Sequence, residues 1–120
     1  MDGTSVGNSG EKIAEEYLRL SEFTILEKNY RVAGLEVDII AVDGACLVFV
    51  EVKTRRTSTF GDAVDAIHPG KMVRIRKAAR HYISTNRVDR SYEEIRFDVV
   101  AIDHSSMRGE MLLRHIRGVL

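Results

Sequence analysis

The feature that most constrains this chain is an apolar run that is followed at once by an acid and a base. Residues 47–50, Leu-Val-Phe-Val, have the composition of a buried β-strand, and Glu51-Val52-Lys53 continues them. Strand side chains alternate between two faces, so Glu51 and Lys53 share one face and Val52 takes the other. The run therefore predicts a strand whose first part is buried and whose end carries an acid and a base on the same face.

A second acidic stretch precedes this strand, on the other side of Asp43-Gly44, which is a strong hairpin signal. With these two residues as the loop, the numbers of opposed residues sum to 87, and Asp38 faces Phe49. Glu36 then faces Glu51, and all three acids lie on one face of the sheet. Like charges this close destabilise a strand pair unless a cation lies between them. The arrangement predicts a divalent metal ion with the lysine of the run beside it.

Length and composition indicate one ordinary globular domain. The chain has 120 residues, of which 44% are hydrophobic and 30% charged. No apolar stretch approaches the roughly 18 residues of a membrane span, and the first residues lack the features of a secretion signal. The single cysteine, Cys46, excludes an intrachain disulfide. We expect a cytoplasmic protein without membrane contact, folded as one domain over residues 1–120, with a flexible N-terminus at residues 1–7.

The charges are unevenly distributed along the chain, although the net charge is zero. Residues 1–52 carry four basic and ten acidic side chains, a net charge of −6. Residues 53–90 carry ten basic and three acidic side chains, a net charge of +7. An acidic cluster beside a basic segment suits a site that binds a metal ion and a polyanion together. The alternative is that the fold interleaves the two segments and their charges cancel.

Hydrophobic periodicity and turn signals predict the order α-β-β-β-α-β-β, an α/β fold with a mixed sheet flanked by helices. Asn8 or Ser9 can cap the first helix, which should end near Ser21. Residues 55–61 are expected to form a polar loop, and Pro69-Gly70 a break before the second helix. The other predicted elements are strands 23–30, 36–42 and 46–53, a helix over 71–85, and strands 94–102 and 111–116, with a structural hydrogen bond at Asp98.

The residues around the two motif acids suit the hydrolysis of a phosphodiester. Mg²⁺ takes one or two carboxylates, here Asp38 and Glu51, keeps several waters and accepts phosphate oxygens; Mn²⁺ is its expected substitute. The main-chain carbonyl of Val52 would add a neutral ligand. Lys53, desolvated beside the metal, would have a lowered pKa and could orient or help deprotonate the attacking water. Together these groups predict metal-assisted hydrolysis.

The spacing of these residues is similar to a known nuclease signature. Val37-Asp38, followed by Glu51-Val52-Lys53, resembles the PD-(D/E)XK motif, and the predicted element order resembles the core of that superfamily. A longer, ordered set of blocks resembles the bacterial YraN family, which is usually compared with archaeal Holliday-junction resolvases. These blocks, over about residues 7–116, are Gly10-Glu11, Ala14, Tyr17-Leu18, Asn29-Tyr30-Arg31, residues 34–40, residues 49–55, Lys71, Ala78-Ala79 and residues 96–100.

The resemblance implies a restriction-endonuclease-like fold and Mg²⁺-dependent cleavage of DNA. By position, it makes Asp38 and Glu51 the metal ligands and Lys53 the catalytic lysine. It also makes Glu11 the acid of the first helix that completes the metal site, beside the Val52 carbonyl. These assignments add a fourth side chain to the three that the strand pattern indicates.

The sequence departs from the family pattern at two positions. Val37 stands where the motif has proline, which leaves the following acid in place. Leu35 stands where the family usually has glycine, which bears on how closely the backbone can be approached there. Two roles stay open: Glu36 is a second ligand or an ion-pair partner of Lys53, and Glu11 is a ligand or an acid that favours the helix macrodipole.

Basic residues near the motif are candidates for contact with nucleic-acid phosphates. Lys71, Arg74 and Lys77 recur at a spacing of three, which produces either a phosphate-binding ridge or a solvated helix face. Arg55 and Arg56 follow the motif strand directly, where they reach a backbone phosphate or form a flexible loop tip. The residues assigned to nucleic-acid binding are Arg31, Arg55, Arg56, Lys71 and Arg74.

We expect a Mg²⁺-dependent deoxyribonuclease that acts on branched or damaged DNA. The alternative is a nucleic-acid-binding module that keeps the fold without turnover and acts within a repair or uptake complex; a third interpretation is a structural protein with an accidental acidic cluster. An intact Asp/Glu/Lys set favours the enzyme, because binding alone requires no buried acids. Resemblance to dimeric resolvases implies a homodimer, with Met111-Leu112-Leu113 or Val119-Leu120 at the contact unless these residues complete the core.

Overall fold

The computed structural model describes residues 3–57, 69–85, 92–105 and 109–119. The predicted element order is confirmed: α1 Gly3–Leu20, β1 Thr24–Val32, β2 Leu35–Asp43, β3 Cys46–Thr57, α2 Pro69–Thr85, β4 Glu94–Ser105 and β5 Glu110–Ile116. The strands lie in the order β1-β2-β3-β4-β5, with β3 and β4 parallel and the other neighbours antiparallel. The sheet is therefore mixed, as predicted. Within the described stretches, no helix is long and apolar enough to cross a membrane.

Both helices begin earlier than the sequence indicates. α1 starts at Gly3, so Asn8 and Ser9 lie inside the helix and the predicted cap is wrong. A cap contributes only about 1 kcal/mol, so a capping residue does not by itself fix where a helix begins. α2 starts at Pro69-Gly70, so the predicted break is also wrong. Proline suits the first helical turn, because the N–H that it lacks would have no partner within the helix.

β3 is longer than predicted and carries the motif well inside the sheet. The loop predicted over residues 55–61 is wrong for residues 55–57, because β3 continues to Thr57. β4 pairs with β3 without interruption from Cys46 to Thr57 and supplies the backbone partners that a loop would lack. Residues 58–61 lie outside the described residues.

One helix packs on each face of the sheet. Leu18 of α1 is buried with Val50 of β3, and Tyr82 of α2 is buried with Phe49 of the same strand. The alternation predicted for β3 is thus confirmed, because neighbouring residues contribute to opposite cores. The predicted α2 stripe is confirmed as well: its members Ile75, Ala79 and Tyr82 are buried, and Met72 and Ile83 pack at its edge.

The β2–β3 hairpin closes one residue later than predicted. Asp43 pairs with Cys46, so the numbers of opposed residues sum to 89 and the loop is Gly44-Ala45. The predicted sum of 87 is wrong because Gly44 takes the first loop position at φ 60° without a positive φ at Ala45, as in a type II′ turn. Asp43 instead ends β2, where its carboxylate accepts a hydrogen bond from Arg96 Nη2 at 3.0 Å.

A buried polar network fastens β4 and β5 beneath α1. The fully buried Asp98 carboxylate accepts hydrogen bonds from Arg96 Nε at 2.8 Å and from Gly118 N at 3.1 Å. It also lies 2.7 Å from His115 Nε2, and His115 Nδ1 lies 2.8 Å from the Tyr17 hydroxyl. Burial opposes the charge on Asp98, but these partners outweigh it and lower the pKa of Asp98 to about 2. The structural hydrogen bond predicted for Asp98 is confirmed.

Candidate metal and nucleic-acid site

β2 and β3 separate where the acidic motif begins. Their pairing ends at Ile39 and Val50, although each strand continues to pair with its other neighbour. The Asp38 side chain lies across this opening, where its Oδ2 accepts a hydrogen bond from Val52 N at 2.7 Å. Extended by one residue, the hairpin register places Asp38 opposite Glu51. The two acids of the motif therefore border one opening between adjacent strands.

The alternation of side chains along β2 is interrupted at Asp38. Ile39 packs in the core under α1, whereas Val37, two residues earlier, packs in the core under α2. Asn29 lies on β1 between the residues that pair with Ile39 and Val37, and it has φ 53°, a left-handed conformation that asparagine tolerates. As a result, Asp38 borders a cleft beneath α1. Glu36, close to the turn between β1 and β2, borders a different cleft beside α2. The prediction that these acids share one flat face is wrong, because it assumed an unbroken period of two.

The surroundings of Asp38 oppose its ionisation. Burial raises the pKa of Asp38 to about 7, and the negative charge of Glu51 adds to this effect. The hydrogen bond from Val52 acts in the opposite direction and is outweighed, while Glu11 and Glu36 contribute further repulsion. A carboxyl group in such surroundings is stabilised in its charged form by a nearby cation. The electrostatics thus match the repulsion between acids that the sequence predicts.

Glu51 and Lys53 meet a third charged residue, Lys71, at the start of α2. Glu51 is only 8% exposed, and its Oε1 forms an ion pair with Lys71 Nζ. Burial opposes the charge on Lys71, but the contact with Glu51 outweighs it and raises the pKa of Lys71. Burial lowers the pKa of Lys53, and the adjacent positive charge of Lys71 lowers it further. The structure brings together the two predicted catalytic residues of β3 and adds a second lysine.

α1 positions Glu11 close to Asp38. The helix approaches β3 at Gly10, where an added Cβ atom would collide with Thr54 Oγ1. Glu11 follows directly and borders, together with Asp38, the cleft of about 230 Å³ beneath α1. Its charge contributes to the raised pKa of Asp38. Glu11 therefore lies near Asp38, and its role as a metal ligand stays a prediction.

The two arginines that follow the motif on β3 differ in their contacts. Arg55 donates from Nε and Nη2 to the fully buried carboxylate of Asp103, at 3.0 and 3.3 Å. Arg56 points to the opposite face, as strand alternation requires, and is exposed. Arg55 is engaged within the sheet, so Arg56 is the better placed of the two for a phosphate.

The other basic candidates lie beside α2. Arg74 Nη2 donates to a main-chain carbonyl of the β1–β2 turn at 3.2 Å, and Arg74, Lys71 and Glu36 line a cleft of about 560 Å³. Arg31 Nη2 lies 3.6 Å from Glu36 Oε1, and both side chains are exposed. The predicted exposed ridge loses its first member, because Lys71 turns toward Glu51.

Two carboxylates and one carbonyl are available to a divalent cation. Asp38 and Glu51 supply the carboxylates, and the N–H of Val52 points at Asp38. The N–H and C=O of a strand residue face the same edge, so the Val52 carbonyl lies on the Asp38 side of β3. Within the four described stretches of the chain, no three His, Cys, Asp or Glu side chains form a metal-binding group. The donors present fit Mg²⁺, which takes one or two carboxylates and keeps several waters.

Sequence reasoning misses two contributions to this site. One is the interrupted alternation at Asp38, whose only signal is Asn29 on the neighbouring strand, a residue that tolerates a left-handed backbone. The other is the contact between Lys71 and Glu51. Its signal is a lysine in the first turn of a helix that has no acid there, where the macrodipole disfavours a cation.

The fold and the site define a mixed α/β protein with an acidic opening between two strands and basic side chains beside it. Residues 10–102 match the uncharacterised protein family UPF0102. The chain belongs to this family, and the resemblance to YraN proteins is confirmed at that level.

Relatives from several organisms match most of the chain. A UPF0102 protein of Christiangramia forsetii is 46% identical over 97 residues, which cover 81% of this chain and 79% of the relative. UPF0102 protein IL0423 of Idiomarina loihiensis is 44% identical over 102 residues, which cover 85% and 88%. A UPF0102 protein of Kineococcus radiotolerans is 36% identical over 115 residues, which cover 96% and 93%. These names state no activity, so the function has to be argued from the site.

Proposed function

We propose that this protein is a Mg²⁺-dependent nuclease that hydrolyses DNA phosphodiesters, with branched or damaged DNA as the expected substrate. The observation that carries the proposal is the Asp38 carboxyl group, held by Val52 across the opening between β2 and β3 and facing the charge of Glu51. A half-buried carboxyl group whose pKa is raised by burial and by a neighbouring acid is typical of functional sites and adds nothing to stability.

The side chains around the opening have distinct roles in this proposal. Asp38, Glu51 and the Val52 carbonyl would hold Mg²⁺, which neutralises charge on a phosphate and lowers the pKa of bound water. Lys53 orients the attacking water and, in its neutral form, accepts a proton; its lowered pKa increases that neutral fraction. These groups lie on paired strands, which hold catalytic geometry better than loops do.

Basic residues outside the metal position suit a nucleic-acid backbone. Arg56 is exposed next to the motif strand, and Arg74 lines the cleft between α2 and the β1–β2 turn. Arg31 is exposed and lies 3.6 Å from Glu36, which lines that cleft. Contacts of these guanidinium groups with phosphates would supply affinity that falls as salt concentration rises.

The proposal is tested by a cleavage assay with Mg²⁺ or Mn²⁺ over single-stranded, duplex, flap and four-way DNA, with RNA for comparison. The wild-type chain should cut at least one of the DNA substrates. Asp38→Asn and Glu51→Gln should each reduce the rate by about 100-fold or more, the usual effect of removing a charge-stabilising group. Glu16→Gln, which removes an exposed acid from α1, is the matched control and should cut at the wild-type rate. Cleavage that persists in Asp38→Asn would contradict the proposal.

A nucleic-acid-binding module without turnover is the second candidate. The ion pair between Lys71 and Glu51 favours it, because one of the two metal-binding acids is already neutralised without a metal. This candidate predicts salt-dependent DNA binding, no cleavage with either metal, and equal DNA affinity of the wild type and Asp38→Asn.

A further inference from the structure

We propose that Lys71 is an internal counter-ion of the metal position: its ammonium group holds the Glu51 carboxylate in the metal-free protein and releases it when a divalent cation binds. The released ammonium group then binds a phosphate of the DNA beside the site. This inference rests on the proposed nuclease function and deepens it, because it assigns a regulated role to a residue outside the motif.

The contact between the two side chains is the first argument. Lys71 Nζ is paired with Glu51 Oε1, one of the two carboxylates available to the metal. The Glu51 side chain is 10% exposed, whereas that of Lys71 is 40% exposed. The acid is therefore fixed on its strand, while the lysine has solvent beside it and a flexible four-carbon stem. A cation that takes Glu51 can displace Lys71 without moving the backbone.

The charge balance of the opening is the second argument. Asp38 and Glu51 supply two acids, and Lys53 and Lys71 supply two bases close enough for Lys71 to lower the pKa of Lys53. A divalent cation would bring two more positive charges into the same space. Release of Lys71 from Glu51 removes the repulsion between its ammonium group and the metal ion. A bound phosphate then neutralises the positive charge of the ammonium group in its new position.

The cleft beside α2 is the third argument, because it offers space for the Lys71 ammonium group after it has left Glu51. Lys71 already lines this cleft of about 560 Å³, together with Arg74 one turn further along the helix. The guanidinium group of Arg74 is exposed there and donates to the Gly34 carbonyl. A phosphate that enters the cleft would meet two cations on one helix face, one from each turn.

The experiment measures metal affinity apart from turnover, by titration of the full chain with Mn²⁺ and detection of free Mn²⁺ by electron paramagnetic resonance. Lys71→Met should bind Mn²⁺ about fivefold more tightly than the wild type, since a competing cation is lost. Lys71→Arg keeps the positive charge and should bind no more tightly than the wild type. Lys77→Met, an exposed lysine on the same helix, is the matched control and should leave Mn²⁺ affinity unchanged. Lys71→Gln repeats the comparison if the methionine variant folds poorly.

A second measurement, of DNA affinity, should change in the opposite direction to Mn²⁺ affinity for the same substitution. With Ca²⁺ present, the affinity for a short fluorescent DNA duplex should fall about fivefold in Lys71→Met, because one phosphate contact is lost, and should recover in Lys71→Arg. Tighter Mn²⁺ binding together with weaker DNA binding would support the inference. Weaker Mn²⁺ binding in Lys71→Met would overturn it, since Lys71 would then only hold Glu51 in place.

The outcomes separate this inference from the function on which it rests. Equal Mn²⁺ affinity of the wild type and Lys71→Met, abolished in both by Asp38→Asn, would overturn the role of Lys71 and leave the metal site standing. Mn²⁺ affinity that is absent, or unaffected by Asp38→Asn, would overturn the metal site and the role of Lys71 together.

Discussion

At the scale of single residues, the surroundings of Asp38 oppose the charge of its carboxyl group. Its carboxyl group is half-buried close to the charges of Glu51, Glu11 and Glu36, and the hydrogen bond from Val52 offsets only part of their effect. Burial and repulsion together raise the pKa of Asp38 to about 7. A charged residue in surroundings that oppose its charge is explained by a partner for that charge, and the proposed Mg²⁺ would be such a partner.

The substitution Asp38→Asn should therefore stabilise the metal-free protein at alkaline pH. The folded-state pKa of Asp38, about 7, lies above the ordinary value of 3.8, so the stability that this group contributes is present below pH 3.8 and lost as pH rises through 7. Asparagine avoids this loss and keeps an acceptor for Val52 N–H. In urea unfolding with EDTA at pH 8.5, Asp38→Asn should exceed the wild type by about 1–3 kcal/mol.

The difference between the two proteins should shrink as pH is lowered toward 4, where aspartate is protonated in the folded wild type. Glu16→Gln, the exposed control, should show no such pH-dependent gain. An Asp38→Asn protein that is less stable than the wild type at pH 8.5 in EDTA would show that the Asp38 charge is satisfied without a metal.

At the scale of elements, the site depends on how closely α1 approaches β3. Gly10 lies against Thr54, the residue that follows Lys53, and Glu11 is the next residue on the helix. Any side chain at position 10 would push the helix away from the strand. The distance between Glu11 and Asp38 is therefore set by a contact that involves neither acid.

Substitution of this glycine should destabilise the fold, although alanine is the better helix former. Gly10→Ala places a Cβ atom against Thr54 Oγ1 and should reduce the free energy of unfolding by about 1–3 kcal/mol. Gly70→Ala is the matched control: this glycine lies in α2 with open space around its Cβ position and should be neutral or slightly stabilising. Thermal unfolding of both variants measures the difference. Thr54→Ala should rescue much of the loss in Gly10→Ala; no rescue would place the collision elsewhere.

Element order and core faces could be predicted from the sequence because they depend on local hydrophobic periodicity. The geometry around Asp38 could not, since it depends on a register set by the backbone of Gly44-Ala45 and on a break opposite Asn29. Both features involve single backbone angles that leave the apolar pattern unchanged. The contact of Lys71 with Glu51 also escapes prediction, because it joins residues far apart in sequence through the placement of α2 on the sheet.

At the scale of the whole molecule, a neutral net charge conceals a division between acidic and basic segments. Residues 1–52 supply the acids of the site, and residues 53–90 supply the lysines of the site and most of the arginines near it. Some of these charges cancel within the fold, as in the pairing of Lys71 with Glu51. Others remain exposed around the opening, including Arg56 and Arg74.

The exposed arginines should determine the salt dependence of DNA binding. The double substitution Arg56→Ala and Arg74→Ala should weaken duplex binding at low salt. In a plot of log affinity against log salt concentration, the magnitude of the slope should fall by about 2, one unit for each lost phosphate contact. Arg80→Ala, at the far end of α2, is the control and should leave the slope unchanged. Fluorescence anisotropy over a salt series measures both quantities. An unchanged slope in the double variant would move the DNA path to another surface.

Assembly into a homodimer stays a prediction. Leu113 packs against the core under α1, and Val119 packs beside Val99, so these two residues complete the fold of the single chain. Met111 and Leu112 remain 47% and 37% exposed on β5, an edge strand of the sheet. Leu120 lies outside the described residues. Of the predicted contact residues, the exposed pair on β5 is the one available to a second copy.

The most direct test of the central claim is a crystal structure of the protein soaked with Mn²⁺, with the metal located by anomalous scattering. We expect one peak in the opening between β2 and β3, about 2.1 Å from oxygens of Asp38, Glu51 and the Val52 carbonyl, with waters in the remaining positions. The Lys71 ammonium group should have left Glu51 in that structure. A well-diffracting, Mn²⁺-saturated crystal with no peak at Asp38 and Glu51 would contradict the account.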